Sequence, residues 1–234
     1  MIYLFAGQSN TLGYLNEGPA PYVPTARVQM WTDTNGDGVG DAFNYLRPGW
    51  NTGTAANPHA WGPEVAFAAE WLDHNAEGTL YLGKVAKGST GLAQDEGALD
   101  WSPESTGELF DQATRVSHDM RATLGVERLD GIAWMQGETD ATDAAKASAY
   151  HDNLAEFAQE ARFEWGATDI ALGRIGAAGA YSQAVREAQW LLDQEDDHLT
   201  SFKTLDFGLR PDGLHYDAEG QIALGNAFYD GWIA

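Results

Sequence analysis

Short apolar runs recur along the chain, and longer stretches with helical spacing lie between them. The first run, Ile2-Tyr3-Leu4-Phe5-Ala6, is continuous rather than alternating, and Gly7 ends it. That is the pattern of a strand buried on both faces, as in the centre of a parallel sheet. Further strands are expected over Ala26–Trp31, Leu80–Ala86, Leu129–Met135 and Ile170–Ile175, with Phe202–Leu205 as a candidate edge strand. Helices are expected from Trp61 to about His74, where Pro63 suits a first turn, and over Thr106–Leu124, Asp143–Trp165, Tyr181–Gln194 and Ala218–Trp232. Strands alternating with helices predict an α/β fold, a three-layer α/β/α sandwich around a mainly parallel five-stranded sheet. No internal repeat, low-complexity linker or composition shift divides the sequence, so residues 1–234 read as a single domain.

This pattern directs attention to one edge of the sheet. In open parallel sheets, ligands bind beyond the carboxyl ends of the strands. Ser9, Gly88 and Gln136 each follow an expected strand and would share that edge. Gly7-Gln8-Ser9-Asn10 also has a plain reading as a turn whose Ser9 or Asn10 caps the next helix. Near the other end, Arg210-Pro211-Asp212-Gly213-Leu214-His215 places a carboxylate three residues before an imidazole, with a glycine between them for a tight turn. An Asp beside a His can hold the ring's tautomer and stabilise imidazolium, which a general base for serine needs. The plain reading of His215 is a cap for the helix that starts near Asp217. His59, His74, His118, His151 and His198 lack this arrangement, and the last four fall in or near polar helical stretches where exposure is expected. The third polar cluster, Gln136-Gly137-Glu138-Thr139-Asp140, ends the fourth strand. Gln136 could donate an amide N–H to an oxyanion. Glu138 could act as a second acid, a substrate contact or an acceptor for a backbone turn.

Charge and composition narrow the function classes. Thirty-five Asp and Glu against thirteen Lys and Arg give a formal charge of −22, a surface that repels phosphate backbones and anionic lipid. Nucleic-acid and membrane-surface roles are therefore not expected. Cysteine is absent, which removes disulfides, thiolate zinc sites and cysteine nucleophiles. No run reaches the length of a transmembrane helix. No basic region with a long apolar stretch opens the chain, so no signal peptide is visible; secretion or surface display would require a leader already removed. The sequence is silent on compartment and oligomeric state.

One loop stands outside the alternation. Asp33, Asn35, Asp37 and Asp41 place oxygen side chains at positions 1, 3, 5 and 9 of a stretch with Gly38 at position 6, as in the first part of a calcium loop. Position 12 is Asn44 rather than a bidentate Glu, and no clear helix flanks the loop. An acidic surface turn is the favoured reading, and calcium bound over 33–41 would be structural.

Gly7-Gln8-Ser9-Asn10 with Gly13, then Gly88, then Gln136-Gly137-Glu138, then Asp212-Gly213-Leu214-His215, occur in the order seen in the SGNH hydrolases. The chain resembles the branch of sialate O-acetylesterase-like domains and carbohydrate esterase family six acetylxylan esterases, in which Gln replaces the block-three Asn. The resemblance covers residues 2 to about 232 and takes in Trp61-Gly62-Pro63-Glu64 and Val185-Arg186-Glu187-Ala188-Gln189. It implies the flavodoxin-like SGNH fold, with Ser9 as nucleophile, His215 as general base and acid, and Asp212 orienting the ring. The N–H groups of Ser9 and Gly88 and the Gln136 amide would form the oxyanion hole; Gln8, Asn10 and Glu138 are candidates for substrate contact or support. No cofactor or catalytic metal is required. A departure is Lys87-Gly88-Ser89-Thr90, where the family often has paired glycines.

The implied function is removal of a short acyl group, expected to be acetyl, from an acetylated carbohydrate. No long apolar segment suggests an acyl-chain tunnel. Trp50, Trp61 and Trp101 lie near the expected edge, where indoles could stack on sugars, although buried packing is the commoner fate of Trp. Two alternatives stand: a non-catalytic carbohydrate-binding or structural module on this fold, since fold alone does not decide function, and an esterase for small non-sugar esters.

Overall fold

The computed structural model describes residues 1–34, 40–167 and 169–232. Its centre is β1 (Ile2–Gly7), all six residues buried. Parallel partners flank it on both sides, β4 (Leu80–Ala86) and β5 (Gly131–Met135). Beyond β4 lie β2 (Val28–Thr32) and the antiparallel β3 (Ala42–Tyr45); beyond β5 lie β6 (Ile170–Gly173) and β7 (Leu199–Phe202). The order β3-β2-β4-β1-β5-β6-β7 makes seven strands among the described residues, against the five expected. The two additions are edge strands. β3 has no buried residue, and in β7 only Leu199 is buried, so neither carries the continuous apolar run that marks a central strand. β7 also begins three residues before the expected edge strand, whose remainder, Lys203 to Leu205, is loop.

Among the described residues, six α-helices accompany the sheet: α1 (Ser9–Leu12), α2 (Pro63–His74), α3 (Leu109–Leu124), α4 (Ala144–Trp165), α5 (Ser182–Glu195) and α6 (Ala218–Asp230). Alternation along β1 divides its side chains between two layers. Tyr3 and Phe5 meet Phe67 of α2 edge-on at 5.1 and 5.4 Å, and Phe5 meets Phe228 of α6 at 5.7 Å. On the other face Trp134 of β5 lies 4.1 Å from Phe157 of α4 and 5.0 Å from Trp101, ring centroid to centroid. Truncating such a ring to Ala typically costs about 3–5 kcal/mol, so each face has its own aromatic anchor. Asp143 caps α4 by accepting from the N–H groups of Ala145 and Lys146, which fixes where that long helix begins. No helix among the described residues is long and apolar enough to cross a membrane.

The strand order has a direct consequence for ligand binding. From β1 the chain moves outward to β2, returns to β4, and then crosses β1 to continue through β5, β6 and β7. The order therefore reverses at β1, and the crevice beyond its carboxyl end is the expected ligand position.

Candidate active site

Ser9 is the second residue beyond β1, and the turn that presents it depends on Gly7. Gly7 has φ +144°, and a Cβ there would lie 2.0 Å from the Met135 carbonyl oxygen of β5. Any side chain would push the two central strands apart. The Gln8 N–H donates to that same carbonyl at 3.0 Å, and Ser9 opens the short α1.

His215 arrives from the far end of the chain. Its Nε2 stands 3.1 Å from Ser9 Oγ, and its Nδ1 stands 2.9 Å from Asp212 Oδ2. A carboxylate only accepts, so Nδ1 carries the ring proton and Nε2 is left to accept from the serine hydroxyl. The other Asp212 oxygen accepts from the N–H groups of Leu214 and His215, each at 2.9 Å, so one side chain builds the turn and aims the ring. Desolvation raises the Asp212 carboxyl, but the hydrogen bonds from the His215 N–H, the His215 ring and the Leu214 N–H outweigh it and bring it to about 2. The Tyr14 ring packs on the imidazole at 4.6 Å between centroids. Asp217, rather than His215, caps α6, through the Gly220 N–H at 2.9 Å.

Asn10 ties the two ends together. Its Nδ2 donates to Glu138 Oε1 at 2.7 Å and to the Leu214 carbonyl at 3.2 Å, and its Oδ1 accepts from the Tyr216 N–H at 3.1 Å. Asn10 is buried, so of the two roles expected for it the structure assigns support. Glu138 is buried, and its second oxygen has no partner among the described residues. Desolvation pushes its carboxyl up to about 7, against the bond from Asn10, and Asp140 adds to the rise. Gln8 is also buried; its Oε1 lies 3.4 Å from the N–H groups of Gly137 and Thr139, bracing the loop that follows β5.

Gln136 departs from its expected role. Its amide nitrogen donates to Asp140 Oδ2 at 2.6 Å and to the Thr90 carbonyl at 3.0 Å, and its side-chain oxygen lies 3.0 Å from Tyr150 Oη, whose one proton it shares with the Gln136 carbonyl. Both amide hydrogens are engaged, and the side chain is fully buried, so no donor remains for an oxyanion. The residue instead anchors the loop after β4 through Thr90. The partner that redirects it, Asp140, was not singled out in the sequence. Asp140 is buried and also accepts from the N–H groups of Leu92 and Ala93. Its one signal was its position, four residues after Gln136. Tyr150 and Gln189 complete this network by donating to the Gln136 carbonyl at 2.9 and 3.0 Å.

Gly88 lies against the serine: a Cβ built on it would sit 3.6 Å from Ser9 Cβ. The N–H groups of Ser9 and Gly88 donate to no acceptor among the described residues. Ser89 takes φ +61°, the left-handed region that a paired glycine would occupy easily. Serine here carries backbone strain that a glycine would not. A pocket of about 370 Å³ opens above the serine, lined by Ser9, Ser89, Glu138, Gly179, Leu214 and His215 among others.

The remaining candidates separate by burial. Trp61 and Trp101 are core residues, and only Trp50, 60% exposed, is available to a ligand, on the β2–β3 side of the sheet. His59, His74, His118 and His198 are exposed, and His151 is half-buried. Among the described residues, no group of three His, Asp or Glu side chains is placed to hold a metal ion. Of the calcium-loop residues, Asn35 and Asp37 lie outside the described residues; Asp41 accepts from the Thr34 N–H at 3.2 Å.

Comparison with solved structures places this geometry among known folds. A protein from Arabidopsis thaliana is similar over 99% of this chain and 97% of its own, with a TM-score of 0.80 at 19% identity. A carbohydrate acetylesterase from Xanthomonas citri has a TM-score of 0.67 at 18% identity, over 97% of this chain and 55% of its own. The acetylxylan esterase Axe2 from Geobacillus stearothermophilus has a TM-score of 0.58 at 12% identity, over 99% of this chain and 93% of its own. At these identities the likeness establishes the fold. Comparison with curated protein sequences gives no match. The family model of carbohydrate esterases described as sialic acid-specific acetylesterases matches residues 1–234. The chain belongs to that carbohydrate esterase family and is a carboxylic ester hydrolase.

Proposed function

We propose that the protein removes O-acetyl groups from a carbohydrate through a covalent acyl-enzyme formed on Ser9. The observation that carries this reading is the relay from Ser9 Oγ to His215 Nε2 at 3.1 Å and from His215 Nδ1 to Asp212 Oδ2 at 2.9 Å. A serine hydroxyl is a weak nucleophile until a base takes its proton. Ser9 Oγ attacks the acetyl carbonyl carbon as its proton passes to His215 Nε2. The carbonyl oxygen becomes an oxyanion, and the free N–H groups of Ser9 and Gly88 are its donors. Collapse breaks the bond to the sugar oxygen, which leaves with the proton from His215. Water then attacks the acetyl-enzyme, again giving its proton to His215, and acetate departs as that proton returns to Ser9. Asp212 holds the ring's tautomer and balances the imidazolium in both halves. The pocket of about 370 Å³ suits a short acyl group.

A fluorophosphonate probe tests the nucleophile. Stoichiometric labelling of the intact protein, absent from Ser9→Ala, is expected; a folded protein that stays unlabelled would favour a non-catalytic carbohydrate-binding module. Acetate release is then measured on acetylated xylan, acetylated sialic acids and acetylated bacterial polysaccharides. Turnover of p-nitrophenyl acetate with no release from any of the three would favour an esterase of small non-sugar esters.

A further inference from the structure

A second pocket lies on the other side of the loop that joins β6 to α5. That loop contributes Gly179 to the catalytic pocket, and its first residue, Arg174, lines the second. Gln183, Arg186 and Trp190 supply one wall from a single stripe of α5, and Lys203 and Leu205, just past β7, supply the other. The cavity holds about 240 Å³. β6 and β7 are two and three strands from β1, so the pocket lies roughly 10–15 Å along the sheet edge from Ser9, at about 4.8 Å per strand.

The charge here runs against the rest of the molecule. The chain has thirteen Lys and Arg among thirty-five carboxylates, an excess in which each cation has many acids to choose from. Arg174, Arg186 and Lys203 nevertheless form no ion pair among the described residues. Arg174 Nε is buried without a hydrogen-bond partner among the described residues. Desolvation lowers the Arg174 guanidinium from its ordinary value, and Asp193 is the charge that opposes this. Arg186 donates to the Gly176 carbonyl, which fixes it in the pocket and leaves its charge unbalanced. With Glu187 also in the lining, the lining itself carries three positive charges and one negative, a net +2, and Asp193 adds one further negative charge near Arg174. Cations without an ion pair around a cavity, two of them half-buried, favour an anion there.

The other wall residues narrow the class of anion. Trp190 is 44% exposed and Leu205 49%, an apolar surface that a small inorganic ion cannot use. An indole face suits the face of a sugar ring. Glu187 and Gln183 can accept from hydroxyl groups, whereas Glu187 would repel a phosphate dianion. Arginine's planar fork matches a carboxylate. We propose that Arg174, Arg186, Lys203 and Trp190 form a binding subsite for a carboxylate-bearing sugar unit, set beside the catalytic pocket so that one glycan chain can occupy both. Occupancy of the subsite does not depend on the esterase reading, and it is tested with ligands that carry no acetyl group.

Titration calorimetry at low ionic strength compares xylotriose with the same trisaccharide bearing one glucuronic acid. The intact protein should bind the acidic glycan at least about tenfold more tightly, since 1.4 kcal/mol of charge complementarity corresponds to that factor. Lys203→Glu, at an exposed position, takes the lining from +2 to 0 and should bring the preference below twofold. Trp190→Ala should weaken the acidic glycan while retaining its advantage over xylotriose. Both variants should turn over p-nitrophenyl acetate within twofold of the parent, because neither residue touches the serine pocket. Equal affinity for the two glycans, or a preference that survives Lys203→Glu, would overturn the subsite. So would inorganic phosphate displacing the acidic glycan at equal concentration, which would mark a simple anion hole.

Discussion

Two polar clusters at the same sheet edge are built in opposite ways. The network around Gln136 is closed: its amide hydrogens, its oxygen and its carbonyl all have protein partners, and Asp140, Tyr150 and Gln189 are buried around it. The Ser9–His215 cluster is open. The His215 Nε2 lone pair meets the Ser9 hydroxyl, and the N–H groups of Ser9 and Gly88 have no acceptor among the described residues. A closed network stabilises because each buried polar group is satisfied. It cannot also stabilise a charge that appears only during reaction, because its donors are already committed. Catalysis by preorganised donors requires hydrogen-bonding capacity that the folded protein leaves unused.

Substitutions on the two sides should therefore separate activity from stability. The largest effect is expected on the open side. Ser9→Ala and His215→Ala should each lower kcat on p-nitrophenyl acetate by at least about a thousandfold, with little change in Tm. Near-normal turnover by folded Ser9→Ala would remove the serine mechanism. Asp212→Asn should lower kcat by less than His215→Ala does, because it disturbs the tautomer but leaves the base in place. The side chain is 43% exposed, so water replaces part of what is lost. A loss as large as that of His215→Ala would mean that the ring is misplaced rather than mistuned.

On the closed side the order reverses. Gln136→Ala leaves the Asp140 carboxylate short of its side-chain donor, a cost of roughly 1–3 kcal/mol, and should lower Tm by several degrees. Its kcat, measured well below Tm, should fall less than tenfold. A drop of about 10²- to 10³-fold at unchanged Tm is the cost of losing an oxyanion donor and would return Gln136 to that role.

A pH-dependent effect concerns Glu138, which borders both clusters. Burial raises its folded value to about 7 from the ordinary 4.5. Between these values the folded chain holds a proton that the unfolded chain has released. The contribution is therefore complete below about pH 4.5 and is lost as pH rises through about 7. Glu138→Gln keeps the shape without the titration. Its Tm relative to the parent should improve steadily from about pH 4.5 to about pH 8. A constant difference across that range would show that Glu138 is ionised in the folded state.

The sequence by itself determined the parts of this protein that depend on local pattern. The continuous run Ile2–Ala6 marked a central strand, and Gly7 marked its end, because a strand covered on both faces has no polar positions to alternate. Asp212 and His215 were legible because their pairing is closed within one tight turn. The edge strand β3 was not, and β7 was marked only by a candidate that overlaps it at Phe202, since half-exposed segments carry little apolar signal. Tertiary structure alone decided where Gln136 points. Its partners Thr90 and Tyr150 lie 46 and 14 residues away, and which acceptor takes an amide hydrogen depends on distance and not on sequence spacing. The same holds for Arg174, Arg186 and Lys203, which end up around one cavity because β6, α5 and β7 pack side by side. Charge composition recorded them as three cations among many acids. Only the fold placed them together, without an ion pair among the described residues.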